Sequence, residues 1–336
     1  MPVRLIDVAE KANVSVATVS RVINNKDRVA EETREKVMQA VKILQFYPND
    51  SARSLRNNST KTVAVIVPDL SNHFYSSVIK GLESVMQQQG YSVLICNTNE
   101  ELETEKAYTH MLLQKHISGL VIATVGGNSD FYQQYESESI PVVFFDNKPD
   151  LDRTFDFVSI DNVIASFQIV EYLISLGHKD IAVLTGQQSE STACERLQGW
   201  NKAMQKHDLP VTESYIGIGH FTIESGVKLM RSLLSLEHRP TAVFATNNFL
   251  AYGATRVILE ANLRIPEDIA IACFDALDQT GLMRPQLTTS IQPSEEIGTI
   301  AGKLLLKKIE SPENNLHENI IVEPQFLIRE STCKTQ

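Results

Sequence analysis

From Thr62 onward, short apolar runs alternate with stretches of helical periodicity, and this alternation restricts the fold more than any other feature of the chain. Val63-Ala64-Val65-Ile66-Val67 is closed by Pro68-Asp69 and followed by a helical stretch from Phe74 to Gln89 that ends at Gly90. Tyr91 to Cys96, Gly119 to Ala123 and Pro141 to Phe145 repeat the run, with helices expected from Glu103 to His116 and near Phe131 to Ser137. The pattern then begins again. Strands are expected at Phe157 to Ile160, Ile181 to Leu184, Ala242 to Ala245, Ile269 to Phe274 and Thr288 to Ile291, with a last segment from Ile320 to Ile328. Helices between them are expected at Val163 to Leu176, Glu195 to His207, Ile223 to Leu236, Leu250 to Ala261 and Glu295 to Ile309. Strands that short and that apolar are buried on both faces, which means parallel sheets covered by helices. Two successive sets predict two doubly wound α/β lobes side by side, the architecture of a hinged small-molecule binder.

The first sixty residues follow another rule. Ile6, Ala9 and Ala12 recur at three-residue steps, which places them on one face of a first helix. Asn13-Val14-Ser15 breaks that helix and offers a side-chain oxygen to cap the next. In the second helix, Val16 to Ile23, Val19, Val22 and Ile23 share a face, leaving Ala17, Thr18, Ser20 and Arg21 outward. After the turn at Asn24-Asn25-Lys26-Asp27, a third helix from Glu31 to Leu44 carries Val37, Ala40, Val41 and Leu44 at i, i+3, i+4 and i+7. Two helices joined by a tight turn and braced by a third make a helix-turn-helix, although periodicity alone also fits an ordinary small helical subdomain.

The net charge of −10 looks unsuited to a nucleic-acid partner until it is divided. Residues 1–60 carry 10 Lys and Arg against 7 Asp and Glu, whereas the remainder carries 21 against 34. A mildly basic head on an acidic body concentrates attraction for phosphate at one end. Length allows two or three domains, and 43 % hydrophobic residues suffice for their cores. Cys96, Cys194, Cys273 and Cys333 are far apart and form no Cys-x-x-Cys pair, which speaks against zinc and a disulfide framework and suits a reducing cytoplasm. There is no apolar run of membrane-spanning length and no signal peptide, so a cytoplasmic location is expected.

The residues of the head are specific as well as periodic. Ile6-Asp7-Val8-Ala9, then Val14 to Asn24, Val29 to Arg34, Tyr47-Pro48-Asn49 and Ala52-Arg53-Ser54-Leu55 closely resemble, in register, the signature of the LacI/GalR repressor family. The resemblance implies an α/β protein with an all-α helix-turn-helix head and two doubly wound lobes like those of periplasmic binding proteins. Its divisions are a head at 1–48, a hinge at 49–60, one lobe at 61–161 with 291–323, and another at 162–290 with 324–336. Crossings between lobes would fall near Asp161, Thr289 and Pro324. By the family's register, Val16, Ala17 and Arg21 read bases, with Ser15, Thr18, Ser20 and Asn24 in the same interface. Arg21 suits a bidentate bond to guanine, the alternative being a phosphate contact. The segment from Asn49 to Asn58 is too short and polar to be a stable helix alone. The resemblance makes it a hinge helix, capped by Asn49, formed on operator DNA, with Arg53 and Arg56 on phosphates and Leu55 wedged in the minor groove. Otherwise it is a flexible polar linker.

Ligands of open parallel sheets lie beyond the carboxyl ends of the strands. Asp69, Asn72, Asp146, Asn247, Asn248 and Asp275 each follow an apolar run and supply the paired acceptors and donors that suit a polyhydroxylated molecule. Taken singly, each reads equally as the cap of the next helix; four strand ends together point to a site. The resemblance adds Arg196 as a ligand-directed arginine, Phe221 as a stacking aromatic, and Phe74 with Tyr75 as the opposite wall, with core packing the alternative for Phe74 and Phe221. Two departures from the family's pattern, Asn248 and Ala276 where many members have Asp, lower the negative charge. They lead to the expectation of a ligand carrying negative charge, a sugar acid or sugar phosphate, paired with Arg196.

The partners implied are operator DNA, a small-molecule effector (sugar, sugar acid or sugar phosphate) and a second copy of the chain, since one head binds weakly and the tail from Glu330 to Gln336 lacks the heptad that joins dimers. Rival readings are a regulator using a phosphocarrier protein as corepressor and a sugar-binding transport protein. An enzyme is disfavoured: no phosphate-binding glycine loop, zincin motif or nucleophile elbow occurs, and His110 and His116 stand six apart, which does not suit a helical metal pair. No catalytic residue, metal ligand or cofactor is therefore expected.

Overall fold

A computed structural model describes residues 3–23, 29–46, 60–127, 130–278, 281–313 and 316–333. The chain forms two compact units, Met1–Thr60 and Lys61–Gln336. The first contains α1 (Leu5–Ala12), α2 (Val16–Ile23) and α3 (Glu31–Leu44), packed on a core of Val8, Ala9, Ala12, Val19, Val22, Val37, Ala40 and Phe46. One expectation is corrected here: Ile6 is 46 % exposed. The stripe that faces the core of α1 is Leu5, Val8, Ala9 and Ala12, at i, i+3, i+4 and i+7. Two three-residue steps carry Ile6 about 120° around the axis from Ala12, onto the flank. Asn13 ends α1 in a left-handed conformation (φ 53°), and the Ser15 hydroxyl accepts the Thr18 amide at 3.1 Å, capping α2 as expected. The turn beginning at Asn24, and the hinge segment with Asn49, Arg53, Leu55 and Arg56, lie outside the described residues.

The second unit opens with β1 (Thr62–Val67), α4 (His73–Gln88), β2 (Ser92–Asn97), α5 (Leu102–Gln114), β3 (Gly119–Ile122), α6 (Asp130–Ser137), β4 (Val142–Phe145) and β5 (Asp156–Ser159). It continues with α7 (Asn162–Ser175), β6 (Ile181–Thr185), α8 (Ser191–Lys206), a 3-10 turn (Glu213–Tyr215), β7 (Ile216–Ile218), α9 (Ile223–Leu234), β8 (Ala242–Ala245) and α10 (Asn248–Glu260). Last come β9 (Ala270–Phe274), β10 (Thr288–Ile291), α11 (Ser294–Glu310), β11 (Asn319–Ile321) and β12 (Gln325–Leu327). These strands build two six-stranded sheets, ordered β11-β5-β4-β3-β1-β2 and β12-β10-β9-β8-β6-β7. All neighbours run parallel except β12, which returns antiparallel to β10. The two orders are the same, so β4 and β9 hold equivalent posts, as do β1 and β6.

Three elements differ from the sequence-based expectation. The closing segment is two strands in different sheets, divided at Pro324, whose ring removes the amide a continuous ladder needs. The edge strand β7 was not anticipated. Helix α8 begins four residues before Glu195, at Ser191. The chain passes to the second sheet after β5, returns after β10 and crosses again between β11 and β12.

Helices α4 and α11 approach so closely that glycine is required at the contact. A methyl group on Gly298 would sit 1.9 Å from the Val78 carbonyl oxygen, and one on Gly81 would sit 2.1 Å from that of Glu295. At the start of β5, Asp156 and Lys308 form a buried ion pair at 3.1 Å, with side chains 4 % and 8 % exposed. Asp156 also accepts the Glu318 amide at 2.9 Å and lies 3.1 Å from His317 Nδ1, which ties β11 to the sheet. No helix among the described residues is long and apolar enough to cross a membrane.

Candidate functional site

In the first unit, α2 exposes the residues its sequence left outward. Val16 is 41 % exposed, Ala17 and Arg21 are exposed, and Thr18 and Ser20 are half-buried. Val19 and Val22, fully turned inward, hold that face in place against α1 and α3. A helix presented this way offers short side chains and one guanidinium to a groove, with the Ser15 cap at its leading end. Asn24, Arg53, Leu55 and Arg56 lie outside the described residues.

In the second unit, one cleft gathers every ligand-binding residue expected from sequence. Asp69, Asn72, Phe74 and Asp146 come from the first sheet and its helices; Arg196, Phe221, Asn247, Asn248 and Asp275 come from the second. The capping alternative is also correct for part of the set. Asn72 Oδ1 accepts the Phe74 amide at 3.1 Å and Asn247 Oδ1 accepts the Leu250 amide at 2.9 Å, so their amide NH2 groups are what a ligand can use. Phe74 belongs both to the core and to the cleft wall, where it meets Tyr75 edge-on at 5.1 Å. The Phe221 ring lies over Gly186, where a methyl group would come within 2.7 Å of it.

The two strand-end aspartates hold equivalent posts after β4 and β9, and both adopt left-handed backbone, with φ 61° at Asp146 and φ 54° at Asp275. Tyr75 donates its hydroxyl to Asp146 Oδ2 at 2.8 Å, while Asp275 accepts the Gln292 amide at 2.9 Å and its side-chain Nε2 at 2.7 Å. Burial pushes both carboxyls above the usual carboxylate value, and the Arg196 guanidinium holds each partly down. Burial, followed by the adjacent Asp146 carboxylate, raises Tyr75 well above an ordinary phenol. Arg196 itself is 4 % exposed. Its Nε donates to Asn162 Oδ1 at 2.8 Å, one Nη donates to the Thr246 carbonyl at 2.7 Å, and its Cζ lies over the Phe274 ring, 4.1 Å from the centroid. A guanidinium held by bonds and a ring face is a rigid donor fork.

Sequence reasoning missed Glu100, Glu190, Thr192, Phe249 and Gln292, which also line the cleft. Glu100 and Glu190 sit on loops after β2 and β6, where no apolar run points to them. Burial and then Glu100 and Asp146 push Glu190 up to about 8, and burial and then Asp69 raise Glu100. These two residues add acidic groups to the cleft in which the sequence leads to the expectation of an anionic ligand. The cleft gathers the carboxyl groups of Asp69, Glu100, Asp146, Glu190 and Asp275 around Arg196, and Glu190, at about 8, keeps its proton at neutral pH. Among the described residues, no cluster of His, Cys, Asp or Glu is placed to hold a metal ion.

Comparison with known proteins settles the class of the molecule. Residues 4–49 match the model for bacterial regulatory proteins of the lacI family, and residues 60–330 match that for periplasmic binding proteins and the sugar binding domain of the LacI family. The chain belongs to the LacI family. It is 36 % identical to the HTH-type transcriptional repressor PurR of Histophilus somni, over 97 % of each chain. The lac repressor dimer bound to operator and the anti-inducer ONPF superimposes with a TM-score of 0.87 at 29 % identity, over 99 % of each chain. The transcriptional regulator CelR in complex with cellobiose superimposes with a TM-score of 0.75 at 28 % identity, over 98 % of this chain and 99 % of the other. This LacI-family chain is a DNA-binding transcriptional regulator whose relatives are repressors and not enzymes, and small-molecule effectors are the ligands of such regulators.

Proposed function

We propose that this chain is a cytoplasmic repressor that binds a palindromic operator as a homodimer and is controlled by a neutral sugar or glycoside in the cleft between its lobes. The division follows the sequence: a DNA-binding head at 1–48, a hinge at 49–60, a lobe of 61–161 with 291–323, and a lobe of 162–290 with 324–336. Ser15, Val16, Ala17, Thr18, Ser20, Arg21 and Asn24 serve the major groove, with Arg21 on a guanine; Arg53, Leu55 and Arg56 serve the minor groove and its phosphates. In the cleft, hydroxyl groups of the effector donate to Asp69, Asp146 and Asp275 and accept from Arg196, Asn247 and Asn248, while Phe74 and Phe221 cover its apolar faces. Effector binding changes the angle between lobes and so the spacing of the two hinge segments in the dimer.

The observation that carries the choice of ligand is the lining of the cleft: five carboxyl groups that can exchange hydrogen bonds with hydroxyls surround a single guanidinium already engaged by Asn162 and Thr246. The CelR complex with cellobiose supports a sugar-like molecule for this chain as well. A thermal-shift panel of neutral sugars and glycosides beside sugar acids and sugar phosphates tests it, because a ligand of the folded form raises its melting temperature by mass action. Stabilisation confined to neutral compounds is expected. A phosphorylated sugar that stabilised the protein where its neutral parent did not would refute the reading.

A further inference from the structure

Helix α8 carries Thr192 and Arg196 of the cleft and follows directly on Glu190, yet it has no cap of its own. Glu190 stands at the capping position and its side chain makes no capping bond. The first turn is satisfied from the other lobe instead. Asn147, the residue after β4, turns its Oδ1 to α8 and accepts the Thr192 amide at 3.2 Å, the Thr192 hydroxyl at 3.0 Å and the Ser191 hydroxyl at 3.3 Å. Those are the bonds a capping asparagine makes to the second residue of its own helix, made here across 45 residues of sequence. The Lys148 amide adds a bond to Ser191 Oγ at 2.7 Å, and the Lys148 ammonium pairs with Glu195. Glu195 also accepts Asn162 Nδ2 at 3.2 Å, and Asn162 holds Arg196. The chain of contacts therefore runs from the first lobe, through the first turn of α8, to the arginine of the cleft.

We propose that Asn147 is the N-terminal cap of α8 supplied in trans, so that the turn bearing Glu190 and Thr192 takes its binding geometry only while the lobes are closed, whereas Arg196, further along the helix, is held by its own lobe. Asn147 is a positioning residue: it acts on a ligand through α8. An uncapped helix start frays, because its leading amides have no partner. Opening the cleft withdraws Oδ1 and loosens the turn; closing it restores the turn. Lobe closure and assembly of the binding residues are in this way a single event. The proposal rests on the cleft reading only for what the turn is used for.

Site-resolved hydrogen exchange on the full chain, without effector or DNA, tests it independently of that reading. Asn147→Leu keeps the size of the side chain and removes the acceptor; Asn147→Asp keeps an acceptor. Exchange of the Thr192 and Ala193 amides should rise about fivefold in N147L, the size expected for one lost cap, and return toward wild type in N147D. Amides of α4 and α10 should keep their rates. N147A, which cannot clash, gives the same comparison should N147L fail to fold. Unchanged exchange at Thr192 would overturn the proposal. So would an equal rise in α4 and α10, which is what a general packing role produces.

Discussion

Replacing Lys308 by Met isolates what the buried pair contributes to the first lobe. The Asp156 side chain is 4 % exposed, and Lys308 Nζ, 3.1 Å away, is the buried charge that balances it. In K308M the carboxylate keeps the Glu318 amide and His317, whose side chain is 37 % exposed and so faces solvent. Removing one partner of a buried pair costs about 3–5 kcal/mol, because the other is left charged and desolvated. Shape is nearly conserved, so little of the loss comes from a cavity. At about 2–4 °C per kcal/mol for domains of 150–250 residues, the melting midpoint followed by circular dichroism should fall by roughly 6–20 °C. The double variant D156L/K308M should recover most of that loss, since an apolar pair of similar volume is often neutral or better. A K308M loss below about 1 kcal/mol, or a double variant no more stable than the single one, would refute the account, because either result means that the pair is solvated.

Three further outcomes are expected. Glu190, raised to about 8, gives the folded protein a proton that the unfolded carboxyl, at its ordinary value of 4.5, releases earlier. That contribution to stability is complete below about pH 4.5 and is lost as pH rises to about 8, so the melting midpoint should decline across this window and E190Q should flatten the decline; a slope of opposite sign contradicts the burial of Glu190. Gly298→Val drives a side chain into the Val78 carbonyl, 1.9 Å from the first added carbon, and should cost about 3 kcal/mol or more in urea denaturation, against under 1 kcal/mol were the helices free to part. Arg21→Ala should relax preference at one base pair per half-site by about 1–3 kcal/mol in a competition binding assay on a selected operator, whereas a mere phosphate contact would weaken all sequences alike.

Most of the strands and the aspartates that follow them are legible because both obey local rules: apolar runs of four to six residues, and polar groups beyond their carboxyl ends. What was not legible depended on partners distant in sequence. The start of α8 lies four residues before Glu195 because Ser191 and Thr192, which read locally as residues that cap a helix beginning after them, are instead its first two residues, and the acceptor for their turn is Asn147, more than forty residues earlier. Strand β7 is three residues with a central glycine at the edge of a sheet, and carries too little apolar pattern to register. Ile6 was misplaced by counting threes where the helix counts three and four. Glu100 and Glu190 reach the cleft from loops, while Ala276 is buried and does not line it.

The left-handed backbone at Asp146 and Asp275 also limits how such a molecule can diverge. Side chains other than asparagine, aspartate and glycine are strained in that conformation, so these two posts admit few replacements. Glu100 shares that conformation, with φ 60°, so new effector preferences must then arise at Phe74, Glu190, Phe221 and Phe249, where the backbone imposes no such restriction. Descendants of this gene would keep a fixed pair of anchors and vary the rim, changing what the cleft accepts while its floor stays as it is.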